Sequence, residues 1–491
     1  MTHSLNNRNN NTTLKNDDYS LDFLFNPKSI AIVGVSSNPS SSINGMFLYP
    51  LLDFNYKGKI YPVNPKCGEI MGLKIYPDIM DIPGPVDHVI AIVPAQVSLQ
   101  LVKSCVSKGV KSITFYTAGF SEIGDDDGAD LESQIIRIAR EGGIRIVGPN
   151  CMGIYYPKGR LAYWPEFPKE EGKVSCLCQS GGNSVHLIWM TAPRGIRFSK
   201  VISFGNAADI DEVDLIEFFT QDPETEIIAM YIEGVKDGKR FINALGEAAK
   251  IKPIIMLKAG CSESGTRAAA GHTGALAGSD STWDALCKQL GVVRVNSIEE
   301  LSDMIVTFSL MSSFTGSNAA ILTVGGGVSI LAADECERNG INIPPLDQEI
   351  HDQLCAFTPN VGNILKNPID SQLIFWDPSQ FASTIKTISN WDTIDFLITP
   401  LIGGVPSRSG PLMSYDVIAN TIPEWNTSSL KPLAIVIETG IRPEVSQNAF
   451  SAQSCFASAG FPVYPTVARA AKAISKYIEY NNHILNRNKA R

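Results

Sequence analysis

The strongest constraint on this chain is the recurrence of short apolar runs between helix-like stretches. SIAIVGVS (29–36), KIYPVNP (59–65), HVIAIVP (88–94), SITFYTAGF (112–120) and IRIVGPN (144–150) are rich in Val and Ile, and amphipathic segments such as AQVSLQLVKSCVSKGV (95–110) separate several of them. Strands that are apolar almost throughout must be covered on both faces. Intervening helices supply that cover, so the pattern predicts parallel sheets. The first series occupies 21–153. A stretch with three prolines, YYPKGRLAYWPEFPKEEG, breaks the pattern and predicts a linker over 154–172. A second series over 173–312 contains KVSCLCQ, FSKVISFG, EIIAMYIEG, KPIIMLKAG and GVVRV. A third over 316–480 contains AAILTVGGG, DFLITPLIGG, PLAIVIETG and FPVYPT and closes on the helical pattern VARAAKAISKYIEY, leaving 481–491 as a tail. Three α/β domains suit 491 residues at roughly 100–200 residues each.

Composition excludes several classes. The net charge is −9, which disfavours a nucleic-acid partner, because phosphate backbones want a basic surface. No apolar run is long enough for a membrane span. Residues 1–20 are polar and asparagine-rich and lack the apolar core of a secretory signal, so they read as a disordered leader. The ten cysteines are scattered. Only Cys176 and Cys178 lie close together, with no second pair to complete a metal site. Reduced thiols and no secretory signal point to the cytoplasm.

Ligands of open parallel sheets sit at the carboxyl ends of the strands. The first strand ends IVGVSSNPSSSING, a serine-rich turn in which Gly34, Val35, Ser36, Ser37 and Asn38 offer main-chain and hydroxyl donors. The second strand ends VNPKCGE and offers Lys66, and the fourth ends TAGFSE. Each turn alone also suits a plain strand-to-helix junction. Together they outline a cleft for an extended, phosphorylated, nucleotide-like ligand. In the second domain, QSGGNSVHLIWM places Ser180, Gly181 and Gly182 at a helix start, where unpaired N–H groups favour an anion. The third domain repeats this arrangement at Gly325, Gly326 and Gly327 and again at Gly403 and Gly404.

One of only six histidines, His272, stands in AAAGHTGALAG (268–278), where nothing large crowds the imidazole. The preceding KAGCSESGTR reads as a loop rather than a helix interior. Neutral imidazole is a nucleophile and leaving group near pH 7. In the same domain YIEGV places Glu233 at a strand's carboxyl end, where its carboxylate can hold one ring nitrogen and leave the other to react. No histidine spacing suits a metal, and no Gly-x-Ser-x-Gly elbow occurs.

The segment KAGCSESGTRAAAGHTGALAGSDSTWDALCKQLGVVRVNSIEELSDM resembles the phosphohistidine region of the NDP-forming acyl-CoA synthetases, the superfamily of succinyl-CoA synthetase and the ADP-forming acetate–CoA ligases. SIAIVGVS, YPVNPK, TAGFSE and GPNCMG are similar to its CoA-binding domain, QSGG and YIEG to its second domain, and GGGVSILAADECERNGINIPPL with NPID to its third. The resemblance implies a CoA-binding Rossmann-like domain followed by two flavodoxin-like, succinyl-CoA synthetase-like domains. It implies that His272 carries a phosphoryl group, oriented by Glu233, from ATP to a carboxylate, and that the CoA thiol attacks the acyl phosphate. CoA contacts would fall on Gly34 to Asn38, Lys66, Val93, Pro94, Thr117, Ala118, Gly119 and Asn150. The helix starts at Ser180–Gly182, and in the third domain at Gly325–Gly327 or Gly403–Gly404, would hold the phosphoryl group.

No stretch remains for the ATP-grasp module of complete family members. The resemblance therefore implies an α subunit that obtains ATP/ADP and Mg2+ through a separate ATP-grasp β subunit, for instance as α2β2, and acts on a small carboxylate. Besides a ligase-like protein that uses a different transferase partner, two other readings stay open at this point. One is an NAD(P)-binding dehydrogenase, against which stands the missing G-x-G-x-x-G. The other is a CoA-binding regulatory protein without chemistry, against which stand His272 and Glu233 together.

Overall fold

A computed structural model describes residues 21–38, 40–273, 279–359, 362–401, 430–438 and 443–489. Its strands are β1 (Ser29–Val33), β2 (Lys59–Val63), a small antiparallel hairpin β3 (Gly68–Ile70) and β4 (Leu73–Ile75), β5 (His88–Ala91), β6 (Ser112–Phe115) and β7 (Arg145–Val147). There follow β8 (Gly153–Tyr155), β9 (Val174–Cys178), β10 (Phe198–Ser203), β11 (Ile227–Ile232), β12 (Ile254–Lys258) and β13 (Val293–Val295). The last series is β14 (Ala319–Thr323), β15 (Ile364–Leu365), β16 (Ile369–Asp370), β17 (Phe396–Leu401), β18 (Leu433–Ile437) and β19 (Val463–Tyr464).

Three sheets result, with strand orders β2-β1-β5-β6-β7, β13-β12-β11-β9-β10-β8 and β15-β16-β14-β17-β18-β19. Pairing is parallel except at the edges, where β8 runs against β10 and β15 against β16. β9, β12, β14 and β18 are buried at every residue, as strands with helices on both faces must be.

Two segments differ from the sequence reading. The expected linker 154–172 begins inside strand β8 and buries Tyr155, Tyr156, Leu161, Ala162, Tyr163 and Phe167. Its prolines interrupt the helix–strand rhythm without preventing burial, because aromatic side chains anchor it. Tyr155 packs against Phe167 with ring centroids 4.9 Å apart. The expected tail is the end of helix Val467–Lys489. Asn481 donates to the Phe314 carbonyl at 2.8 Å and Arg487 to that of Ala249 at 3.0 Å, so the helix closes over the second unit.

Charged groups buried between the units join them. Asp209, 1% exposed, receives Arg140, Arg145 and the Ile146 N–H at 2.7–3.0 Å, tying β7 to the second unit. Arg194 and Arg469 converge on Asp303 at 2.6–2.8 Å, linking the second unit to the third. The segment 1–20 lies outside the described residues. No helix among the described residues is long and apolar enough to cross a membrane.

Candidate functional site

The carboxyl edge of the first sheet is a set of loops held by side-chain amides. Gly34 adopts φ +105°, and a Cβ there would collide with the Ile92 carbonyl. Only glycine lets the chain turn this close to the neighbouring strand. Past it, the buried Asn44 accepts the Ser36 N–H at 3.1 Å and donates to the carbonyls of Ser36 and Asn38, both at 2.8 Å. Asn64 donates to the Val35 carbonyl at 2.7 Å and accepts the Lys66 N–H at 2.9 Å. Thr117 donates to the Val93 carbonyl at 2.7 Å, and the Asn150 N–H reaches the Thr117 carbonyl at 2.9 Å. Val35, Ser37, Pro94 and Ala118 sit in the same loops, so the candidate CoA residues fall on one edge. Lys66 is exposed there, with its ammonium available to an anion. Gly119 is less open: its N–H is taken by Glu122 at 2.5 Å.

In the second unit Ser180 caps the helix Gly181–Thr191, accepting the Asn183 N–H at 3.3 Å. The space around Gly182 is open, whereas a Cβ on Gly181 would press on Met152. Glu233 follows β11 and is 6% exposed. Its N–H and that of Gly234 both donate to the Gln179 side-chain carbonyl. Burial together with the Glu233 charge pushes the nearby Tyr231 phenol up. Glu233 is thus fixed through its main chain, beside the Ser180 helix start.

His272 lies in the helix Glu263–Thr273. The loop expected over KAGCSESGTR gives way to helix from Glu263 onward. Ser262 accepts the Gly265 N–H at 3.0 Å as a cap, and the alanine run after Arg267 favours helix strongly enough to offset Gly265. The side chains of residues 269–273 lie outside the described part, as do residues 274–278. The helix leaves the end of β12, which pairs with β11 so that Lys258 stands opposite Ile232, the residue before Glu233. On its other side it runs beside the turn Ser121–Ile123 of the first unit, directly after Thr117–Gly119.

In the third unit Gly325 has φ +101° and opens the helix Gly326–Arg338. Its N–H donates to Asp370 at 2.6 Å, so a carboxylate already occupies part of this helix start, while Gly327 faces open space. Gly403 and Gly404 lie outside the described residues. A cavity of about 860 Å³ opens elsewhere, against the helices Glu212–Gln221 and Gly238–Ala248. Asp22, Asp214, Glu217, Asp222 and Glu247 line it against a single Arg145, a wall that repels phosphates. Sequence reasoning missed Asn44, Gln179, Tyr231, Lys258, Glu122 and Asp370. Each of them stands in a stretch quoted above (IVGVSSNPSSSING, QSGG, YIEG, KAGCSESGTR, TAGFSE and NPID), but attention there went to the neighbouring residues.

Residues 28–157 match the family described as CoA binding domain, and residues 171–308 match the succinyl-CoA ligase like flavodoxin domain. The chain is 36% identical over 471 residues to the acetate–CoA ligase [ADP-forming] I subunit alpha of Pyrococcus furiosus, covering 94% of this chain and 98% of that one. It is 40% identical over 355 residues to the acetate–CoA ligase [ADP-forming] of Methanocaldococcus jannaschii, a match that takes in 72% of this chain and 49% of that protein. Among solved structures it is similar to acetyl-coenzyme A synthetase 1 of Ca. Korarchaeum cryptofilum, in complex with phosphate and ADP, at 32% identity and a TM-score of 0.80, covering 95% and 99% of the two chains.

Proposed function

The chain belongs to the family of ADP-forming acetate–CoA ligase α subunits, and from that premise we propose that His272 ferries a phosphoryl group within a two-subunit acyl-CoA synthetase. The protein is an acid–thiol ligase that uses CoA and ATP or ADP. The dehydrogenase reading falls with the family. A separate ATP-grasp β subunit, arranged with this chain as α2β2, holds ATP with its Mg2+. An imidazole nitrogen of His272 attacks the γ-phosphorus, forming the P–N bond and releasing ADP. A small carboxylate such as acetate then attacks phosphorus, breaking P–N and giving the acyl phosphate. The CoA thiolate attacks the acyl carbon, the C–O bond breaks and phosphate leaves.

Glu233 orients the imidazole from the strand beside the one that leads into the His272 helix. The Ser180–Gly182 helix start, and the one at Gly325–Gly327, take the phosphoryl charge. CoA lies along the loops of Gly34–Asn38, Lys66, Val93–Pro94, Thr117–Gly119 and Asn150. The reaction takes place in the cytoplasm. One observation carries this reading: the His272 helix departs from the strand neighbouring Glu233 and lies against the CoA-side turn Ser121–Ile123. Chemistry at the one must reach the thiol at the other.

The test is to co-express the chain with an ATP-grasp partner and assay thioester formation from ATP, CoA and a panel of carboxylates. His272→Ala should lose at least a thousandfold in kcat and take up no acid-labile phosphate from labelled ATP. Thioester formation by the His272→Ala complex at the parent rate would overturn the proposal.

A further inference from the structure

Three lysine or arginine side chains are buried among the described residues: Arg194, Lys200 and Lys258. Two have carboxylate partners. Arg194 meets Asp303 at 2.8 Å, and Lys200 meets Asp222 at 2.8 Å and Glu224 at 2.6 Å. Lys258, 4% exposed at the end of β12, has no carboxylate oxygen within 4.0 Å among the described residues. Its Nζ donates instead to two main-chain carbonyls, Glu233 at 2.7 Å and Ala259, and lies 5.3 Å from the Trp283 ring centre. Burial lowers its pKa, and Arg294 adds to the fall, while Cys261, Glu233 and Asp280 oppose it. A buried ammonium held only by neutral dipoles is costly unless an anion comes to it.

Its position supplies a reason. The Glu233 carbonyl belongs to the residue read above as the orienting carboxylate. Ala259 begins the connection to the helix carrying His272. One ammonium therefore clamps both chain segments of the proposed pair. Phosphorylation brings close to two further negative charges to a place where Glu233 already contributes one.

We propose that Lys258 is the positioning residue of the phosphohistidine state: it fixes the Glu233 main chain against the root of the His272 helix and offsets the charge that phosphorylation adds. The inference rests on the reading of His272 and Glu233 given above. Lys258 touches no reacting atom, and it acts through Glu233 and through its field.

The experiment uses the complex with the ATP-grasp partner, labelled ATP and a fixed ATP:ADP ratio. Parent, Lys258→Met, Lys258→Arg and His272→Ala are compared for acid-labile phosphate at equilibrium, for kcat, and for KM of CoA. The expected result is a tenfold or larger fall in labelling and kcat for Lys258→Met, with KM for CoA within twofold of the parent. Lys258→Arg should recover most of the labelling. Parent-level labelling of Lys258→Met overturns the inference. So does equal loss in Lys258→Met and Lys258→Arg accompanied by a matching fall in thermal midpoint, which marks a purely structural lysine. Labelling of His272→Ala would instead overturn the phosphohistidine reading itself. A labelled parent beside an unlabelled His272→Ala makes the Lys258 result decisive on its own.

Discussion

Glu212 begins the helix Glu212–Gln221, is 1% exposed and has one carboxylate oxygen without a partner among the described residues. Burial raises its pKa from 4.5 to about 7, and the adjacent Asp211 adds to the effect. The folded state therefore holds a proton that the unfolded chain releases earlier. Stability falls as pH climbs from about 4.5 towards 7, and the loss is complete above that. Glu212→Gln should stabilise the protein by ~1–3 kcal/mol at pH 8 and leave it unchanged near pH 4, as read by urea midpoints at the two pH values. His272 was legible as a residue of interest because its neighbours are small. Glu212 and Lys258 were not. An acid at a helix start and a lysine at a strand end are ordinary in sequence, and only the packing of distant segments removes their water.

At the scale of elements, two glycines separate folding from chemistry. Gly34 turns with a positive φ against the Ile92 carbonyl, so Gly34→Ala should cost ~1–3 kcal/mol and show as a lowered thermal midpoint. Gly182 stands at the second helix start with nothing near a would-be Cβ. Gly182→Ala should keep the midpoint within ~0.5 kcal/mol of the parent. A methyl group there would nevertheless crowd an anion approaching the N–H groups, so labelling of His272 should fall severalfold. The strands and their succession were readable because Val- and Ile-rich runs of this length have few alternatives. The short strands β8, β15 and β16 were not, since two or three residues carry no period. The helix Glu263–Thr273 was mistaken for loop because Ser and Gly at its start are cap residues as well as loop residues.

For the whole molecule, the join between second and third units rests on Asp303. Asp303 is 3% exposed and receives both Arg194 and Arg469. Asp303→Ala would strand the buried Arg194, and removing one partner of such a pair costs ~3–5 kcal/mol. Guanidinium-chloride unfolding should show that loss. The three-unit plan could be read from the sequence, but the seams could not, because Asp209, Asp303 and Arg469 look like surface charges until their partners are known. The helix Val467–Lys489 spans one of these seams. The Tyr477 hydroxyl closes on the Met311 carbonyl at 3.1 Å, across 166 residues of chain. During synthesis, then, the socket at Met311 emerges from the ribosome long before the side chain that plugs it. Until that plug arrives the middle of the protein keeps an oily flank bare, which is where a chaperone would be expected to hold the nascent polypeptide.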